Sequence, residues 1–290
     1  MSAVFLDFGT VGDDLDPASL RSAAPGLVLH AHTQPDEIAT RIAGCEVVLT
    51  NKVRLTRELI EGAPALRFIG LTATGTNNID LSAARERGVA VCNIRDYCTP
   101  SVVQHVLGVL LHLPIRELRG RTLGIVGWGA LGSAVARACE SALGMQVIVA
   151  DRPGGVPQPG RVDLDELLAR ADVVSLHCPL TPETTGLISA ARLARMKLDA
   201  ILINTARGAL VDVAALAEAL RARRLGGAAI DVLPEEPPVD GSPLFAPDLP
   251  NLIVTPHMAW AARESRQRCL DELAANIEDW RRGGTRGRVA

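Results

Sequence analysis

The turn Thr255-Pro256-His257 closes an apolar run at residues 252–255 and sets an imidazole just beyond its end. Histidine has an unperturbed pKa of about 6.5, so it suits a group that gives and takes a proton near neutrality. In Pro234-Glu235-Glu236-Pro237-Pro238 the carboxylate of Glu236 is held by flanking prolines, and it could orient that imidazole and favour its protonated form. Arg207, in Asn204-Thr205-Ala206-Arg207-Gly208, offers a two-pronged fork to a carboxylate, and Gly208 allows close approach. Each has a plainer reading: a surface histidine satisfied by a helix start, and a solvated loop arginine.

A second constellation is the stretch Thr122-Leu123-Gly124-Ile125-Val126-Gly127-Trp128-Gly129-Ala130-Leu131-Gly132. It reads as a buried strand, three glycines at the GxGxxG spacing, and a helix start. Gly127 permits a tight turn, Gly129 lets the backbone approach a pyrophosphate, and Gly132 lets helix and strand pack closely. Ala130 and Leu131 lie between them, where the free N–H groups of the helix start face a phosphate. A second strand at residues 146–150 ends on Asp151, 19 residues past Gly132, against an expected spacing of about 20. This is a dinucleotide site. Asp151 would accept hydrogen bonds from the adenosine ribose and repel the extra phosphate of NADP, so NAD(H) is the expected cofactor and NADP the less favoured one. Arg152, next to it, could pair with that phosphate.

These residues need a scaffold that gathers strand ends. Six of them in order give Gly127, Asp151, His177, Arg207, Asp231 and His257, and in open α/β sheets ligands bind just beyond the carboxyl ends of strands. Strands are expected at 123–126, 146–150, 172–177, 200–204, 227–232 and 252–255, with helices capped by Asp163, Ser189 and Asp212. His177 is expected to line the cofactor cleft. Asp231 reads as a site residue or as a helix or turn cap, and spacing does not separate the two. The first ~100 residues carry strand candidates at 4–8, 27–30, 46–50, 67–72 and 89–94, and helices starting near Asp36, Thr56 and Leu81. Within them, Ala73-Thr74-Gly75-Thr76-Asn77-Asn78 could cradle a substrate carboxylate or only cap the helix at Asp80. A helix over 101–112, ended by Pro114, links the two regions, and a last helix from about 261 to 282 presents Leu270, Leu273, Ile277 and Trp280 to a neighbouring surface.

The bulk properties fit. The chain has 290 residues, 48% of them hydrophobic and only 3% aromatic, so its cores must be aliphatic. A formal charge of −3 leaves no electrostatic footprint for nucleic acid or a membrane surface. The six cysteines form no CxxC pair, so reduced thiols are expected and no metal site. The opening Met1-Ser2-Ala3-Val4-Phe5-Leu6-Asp7 lacks a targeting pattern, and a soluble, cytoplasmic protein is expected.

Taken together, GWGALG, Asp172-Val173-Val174-Ser175-Leu176-His177-Cys178-Pro179-Leu180-Thr181-Pro182-Glu183-Thr184, residues 203–208, 231–238 and 255–260, the loop 73–78 and Ser101-Val102-Val103-Gln104-His105 resemble the D-isomer-specific 2-hydroxyacid dehydrogenases. The Thr-Gly-Thr-Asn-Asn loop and the Thr-Pro-His-Met-Ala-Trp ending look most like the glycerate dehydrogenase and hydroxypyruvate reductase branch. The resemblance implies an α/β fold of two lobes. A doubly wound, Rossmann-type dinucleotide domain (101–261) is inserted in a smaller, flavodoxin-like parallel α/β substrate domain (1–100), which the C-terminal helix (262–290) rejoins. It implies NAD-dependent reduction of a small 2-keto acid such as hydroxypyruvate or glyoxylate. His257 would then be proton donor, Glu236 its partner and Arg207 the carboxylate anchor. Thr74 and Gly75 would give backbone contacts to substrate, and Thr205 and Asp231 would serve the nicotinamide side. The alternative is a non-catalytic or impaired dinucleotide-binding relative of corepressor type. One departure stands out: a segment that family members carry between the 101–112 helix and Pro114-Ile115-Arg116-Glu117-Leu118 is absent. It builds much of their dimer contact, so a homodimer here is expected to be weakened.

Overall fold

The computed structural model of the chain describes residues 2–113 and 117–290; the expected helix stop at Pro114 lies outside the described residues. The chain divides into two compact units, Met1–Cys98 with Ala261–Ala290, and Thr99–Trp260.

The first unit is built on five short strands, β1 (Ala3–Phe5), β2 (Leu27–Leu29), β3 (Val47–Thr50), β4 (Phe68–Leu71) and β5 (Ala90–Cys92). They pair in parallel in the order β2-β1-β3-β4-β5, the flavodoxin-like arrangement. Every residue of β1, β3, β4 and β5 is buried, as expected where helices cover both faces of a parallel sheet. The helix Arg263–Arg281 belongs to this unit. It buries Leu270, Leu273 and Ile277, and sets the Trp280 ring 5.0 Å from that of Phe68. A β-carbon on Gly70 would stand 2.6 Å from Leu273 Cδ1, so glycine at the middle of β4 is what lets this helix pack so closely. A helix at Ala18–Ala23, not legible in the sequence, lies beside it and is tied by Ser19 Oγ to Asp271 at 2.8 Å.

The second unit carries β6 (Thr122–Val126), β7 (Gln146–Val149), β8 (Val173–Leu176), β9 (Ile201–Asn204), β10 (Gly227–Ile230) and β11 (Leu252–Val254). All are parallel, in the order β11-β10-β9-β8-β6-β7. The chain leaves β6 in one direction to form β7 and returns to the other side of β6 for β8, which makes the β6/β8 pair the switch point of a doubly wound sheet. Beyond β7, the strand that would complete the first half is reduced to a single parallel bridge, Ala150 to Val162. Helices Thr99–His112, Ala130–Leu143, Leu164–Arg170, Ala190–Leu193 and Val213–Arg221 flank the sheet. Asp163 and Asp212 cap theirs as expected, accepting from Asp165 N and Ala215 N. Ser189 does not cap with its side chain. That helix is a single turn, and the preceding Ile188, bridged to Val211, fixes its entry instead. Among the described residues no helix is long and apolar enough to cross a membrane.

Candidate active site

The Gly-rich turn sits at the switch point and its geometry answers to the three glycines. Gly127 has φ +105°, and a β-carbon there would meet Cys178 N at 2.5 Å and His177 C at 2.6 Å. A β-carbon on Gly132 would stand 2.1 Å from Gly127 O. Gly129, by contrast, faces open space, with nothing within 4 Å of its would-be β-carbon. The first helical hydrogen bond runs from Ser133 N to Gly129 O. The N–H groups of Ala130, Leu131 and Gly132 therefore precede the ladder, with Gly129 and Ala130 exposed. Turn, open approach and unpaired donors together fit a pyrophosphate.

Asp151 follows β7. One carboxylate oxygen accepts Gln158 N–H at 2.9 Å, and its other oxygen has no partner among the described residues. His177 follows β8; its Nε2 meets Ser175 Oγ at 2.9 Å, while its Nδ1 is buried and unpartnered. Burial pushes its pKa down to about 4, so the ring is neutral near pH 7. Thr205 Oγ1, beyond β9, is likewise buried without a partner. Orphaned polar atoms at strand ends beside a phosphate turn are what a dinucleotide's own polar groups would satisfy. The residues present fit such a cofactor.

Beyond β9 the Arg207 loop is folded by Asn204, whose Oδ1 accepts Ala206 N–H at 3.0 Å and whose Nδ2 donates to Arg207 O at 2.9 Å. The Arg207 guanidinium spends one donor on Ala206 O at 2.7 Å. No carboxylate pairs with it among the described residues, so its remaining N–H groups are available to an anionic ligand. Gly208 backs onto the chain that leads to Glu236: a β-carbon would stand 1.9 Å from Leu233 C and 2.3 Å from Pro234 N. Glu236 Oε1 accepts Leu233 N–H at 2.9 Å, and Oε2 lies 2.6 Å from His257 Nδ1. Arg207 and the Glu236–His257 pair are thus parts of one packed surface rather than separate loops.

His257 sits at φ +52°, a left-handed conformation uncommon outside glycine. It is held there by many bonds. Its N–H donates to Asp231 O at 2.8 Å, and its carbonyl accepts Trp260 Nε1–H at 2.9 Å. Asp231 is 2% exposed, and its side chain accepts from Met258 N (2.8 Å), Ala259 N (2.9 Å) and Thr255 Oγ1 (2.5 Å). The Asp231 carboxylate thus organises the His257 turn, far along the chain, rather than a turn or helix adjacent to it in sequence. Ser101, on the helix Thr99–His112, donates to Ala259 O at 2.7 Å. Neither Ser101 nor Thr255 had a chemical role that sequence spacing could indicate, because their partners lie far along the chain.

Thr74 and Gly75 belong to the first unit. Thr74 Oγ1 donates to Ile94 O at 2.9 Å and its carbonyl accepts from Asn93 Nδ2 at 2.6 Å, while Asp80 caps the following helix through Ala83 N at 2.8 Å. Among the described residues no cluster of His, Cys, Asp or Glu could hold a metal ion, and the six cysteines are free thiols.

Comparison with known proteins places the chain in a family. The family model described as "D-isomer specific 2-hydroxyacid dehydrogenase, NAD binding domain" matches residues 102–259. A glycerate dehydrogenase from Methylorubrum extorquens is 44% identical over 271 residues, covering 84% of this chain and 85% of its own. A hydroxypyruvate reductase from Blautia hydrogenotrophica is 36% identical over 282 residues, covering 87% of each. The crystal structure of a Thermus thermophilus protein superposes with a TM-score of 0.87 at 35% identity over the whole of both chains. With a phosphate turn, a carboxylate-paired histidine and these relatives, the chain belongs to the D-isomer specific 2-hydroxyacid dehydrogenase family, oxidoreductases that use NAD.

Proposed function

We propose that the enzyme reversibly reduces a small 2-keto acid of the hydroxypyruvate or glyoxylate class to the D-2-hydroxy acid. The bound dinucleotide supplies the hydride; the chain's own residues do the rest. Arg207 anchors the substrate carboxylate with its unpaired donors and meets the charge that builds on the carbonyl oxygen. His257 donates a proton to that oxygen from Nε2 in reduction and takes it back in oxidation. Glu236 fixes the ring through Nδ1–H, which commits Nε2 to the exchange. The 2.6 Å Glu236–His257 contact carries this reading. Thr74 and Gly75 would give backbone contacts to substrate, Thr205 and Asp231 would serve the nicotinamide side, Asp231 by holding the turn, and His177 would line the cofactor cleft. Asp151 sets a preference for NADH over NADPH.

The direct test is His257→Gln, assayed by NADH absorbance with hydroxypyruvate and glyoxylate. Turnover should fall by about 10²–10⁴-fold, with NADH affinity by fluorescence nearly unchanged. A variant with near wild-type turnover would remove His257 from the mechanism.

A further inference from the structure

The helix Thr99–His112 contributes a second residue to the His257 turn besides Ser101. His105 reaches across from that helix, 150 positions before Thr255 in the chain, and its Nε2 lies 3.3 Å from Thr255 Oγ1 and 3.9 Å from Asp231 Oδ1. Its side chain is only 16% exposed, so the contact is sheltered from competing water.

The hydrogens in this cluster can be assigned from its geometry. Both oxygens of Asp231 are marked as acceptors by backbone N–H groups, Met258 on Oδ1 and Ala259 on Oδ2. The proton in the 2.5 Å contact with Oδ1 therefore belongs to the Thr255 hydroxyl. A hydroxyl has one hydrogen, so Thr255 Oγ1 has only lone pairs left to offer His105. Nε2 of His105 must then carry a hydrogen and donate it, whichever state Nδ1 is in. A lone pair at Nε2 would face a lone pair at 3.3 Å.

We propose that His105 is a positioning residue for the reaction, a donor to Thr255 that holds the threonine hydroxyl on Asp231 and so keeps the His257 turn in its left-handed conformation. The proposal rests on the reading of His257 as the proton donor. Loss of the donor frees the Thr255 hydroxyl to rotate, removes one of the bonds that organise the Asp231 carboxylate, and loosens a turn held at φ +52°. Chemistry that needs the imidazole within hydrogen-bond reach of the substrate oxygen is sensitive to sub-ångström loosening, whereas the phosphate turn at the β6/β8 switch point is untouched.

The test uses the full chain with NADH and hydroxypyruvate. His105→Leu, which keeps bulk and removes the donor, should lower kcat about tenfold. KM for hydroxypyruvate and the NADH dissociation constant should stay within about twofold. His105→Gln, whose amide N–H reaches where Nε2 stood, should restore kcat to within about threefold of wild type. Thr255→Val guards against a folding defect at His105. It removes the hydroxyl with little change of shape and should lower kcat similarly, and His105→Leu added to it should cost little more. Wild-type kcat in His105→Leu, a Gln variant no better than Leu, or losses that multiply in the double variant each overturn the relay. His257→Gln run beside them separates the two ideas. If it is inactive while His105→Leu is unaffected, only the relay falls; if it turns over normally, the proton-donor reading falls and takes the relay with it.

Discussion

His177 gives a stability prediction that can be worked from its surroundings. Its pKa is pushed from the ordinary 6.5 to about 4 by burial, and its Nδ1 is sealed from solvent without a partner. Between those two values the unfolded chain binds a proton at this position and the folded chain does not. Folding stability is therefore whole above about pH 6.5, falls as pH is lowered towards about 4, and levels off below that. At ~1.4 kcal/mol for each pH unit between the two values, the full effect is about 3 kcal/mol. The residue as a whole is only half-buried, and solvent screening trims the expectation to about 2 kcal/mol. His177→Gln keeps a group able to bond Ser175 Oγ but cannot take up the proton. Urea unfolding of both proteins at about pH 7 and about pH 4.5 isolates the effect, because titrating carboxylates are common to the two. The variant should lose about 2 kcal/mol less than wild type over that interval. An equal loss in both would show that the imidazole titrates alike folded and unfolded, and that water reaches it in the native state.

Gly208→Ala should destabilise the second unit by about 3 kcal/mol or more, because the added carbon meets backbone at 1.9 Å rather than a side chain that can turn away; thermal unfolding reads it, and an unchanged Tm would refute it. NADH should be preferred over NADPH in kcat/KM, with the preference reduced in Asp151→Ala; a wild-type preference for NADPH would mean that Arg152 outweighs the acid. We propose that the segment after the 101–112 helix is shorter than in relatives and expect a weakened dimer, in keeping with the 61% exposure of Leu111 on that helix. Sedimentation over a range of concentrations should show dissociation on dilution, and a dimer that persists would contradict it.

What could be read from the sequence was what is local. The GxGxxG spacing, the apolar runs of β6 to β11 and the residues just past them are short-range patterns, and the sheet places them as that pattern implies. Glu236 with His257 was legible because a proline-flanked carboxylate and a histidine in a proline turn are each unusual alone. The helix Ala18–Ala23 was not, being too short at six residues for an apolar period to emerge. Nor was the service of Asp231, whose three donors lie 24 to 28 positions further on, or the approach of His105 to Thr255. Those contacts exist only once neighbouring strands have paired and a helix has been laid against them, and no spacing rule spans such distances.

The single bridge between Ala150 and Val162 makes this corner of the second unit open to engineering. Where a full strand would stand, residues 152–161 form a loop whose base is closed by Asp151 N to Val162 O at 2.8 Å and Val162 N to Val149 O at 2.9 Å. Both ends of the loop are thereby fixed, and everything between them is free of the sheet ladder. Loops anchored in this way tolerate exchange and lengthening at little entropic cost, roughly 0.6 kcal/mol for each doubling. The segment is thus a replaceable cassette. Transplanting arginine-bearing loops between Asp151 and Val162 offers a route to a library of altered coenzyme choice, with the strands and the His257 turn left as they are.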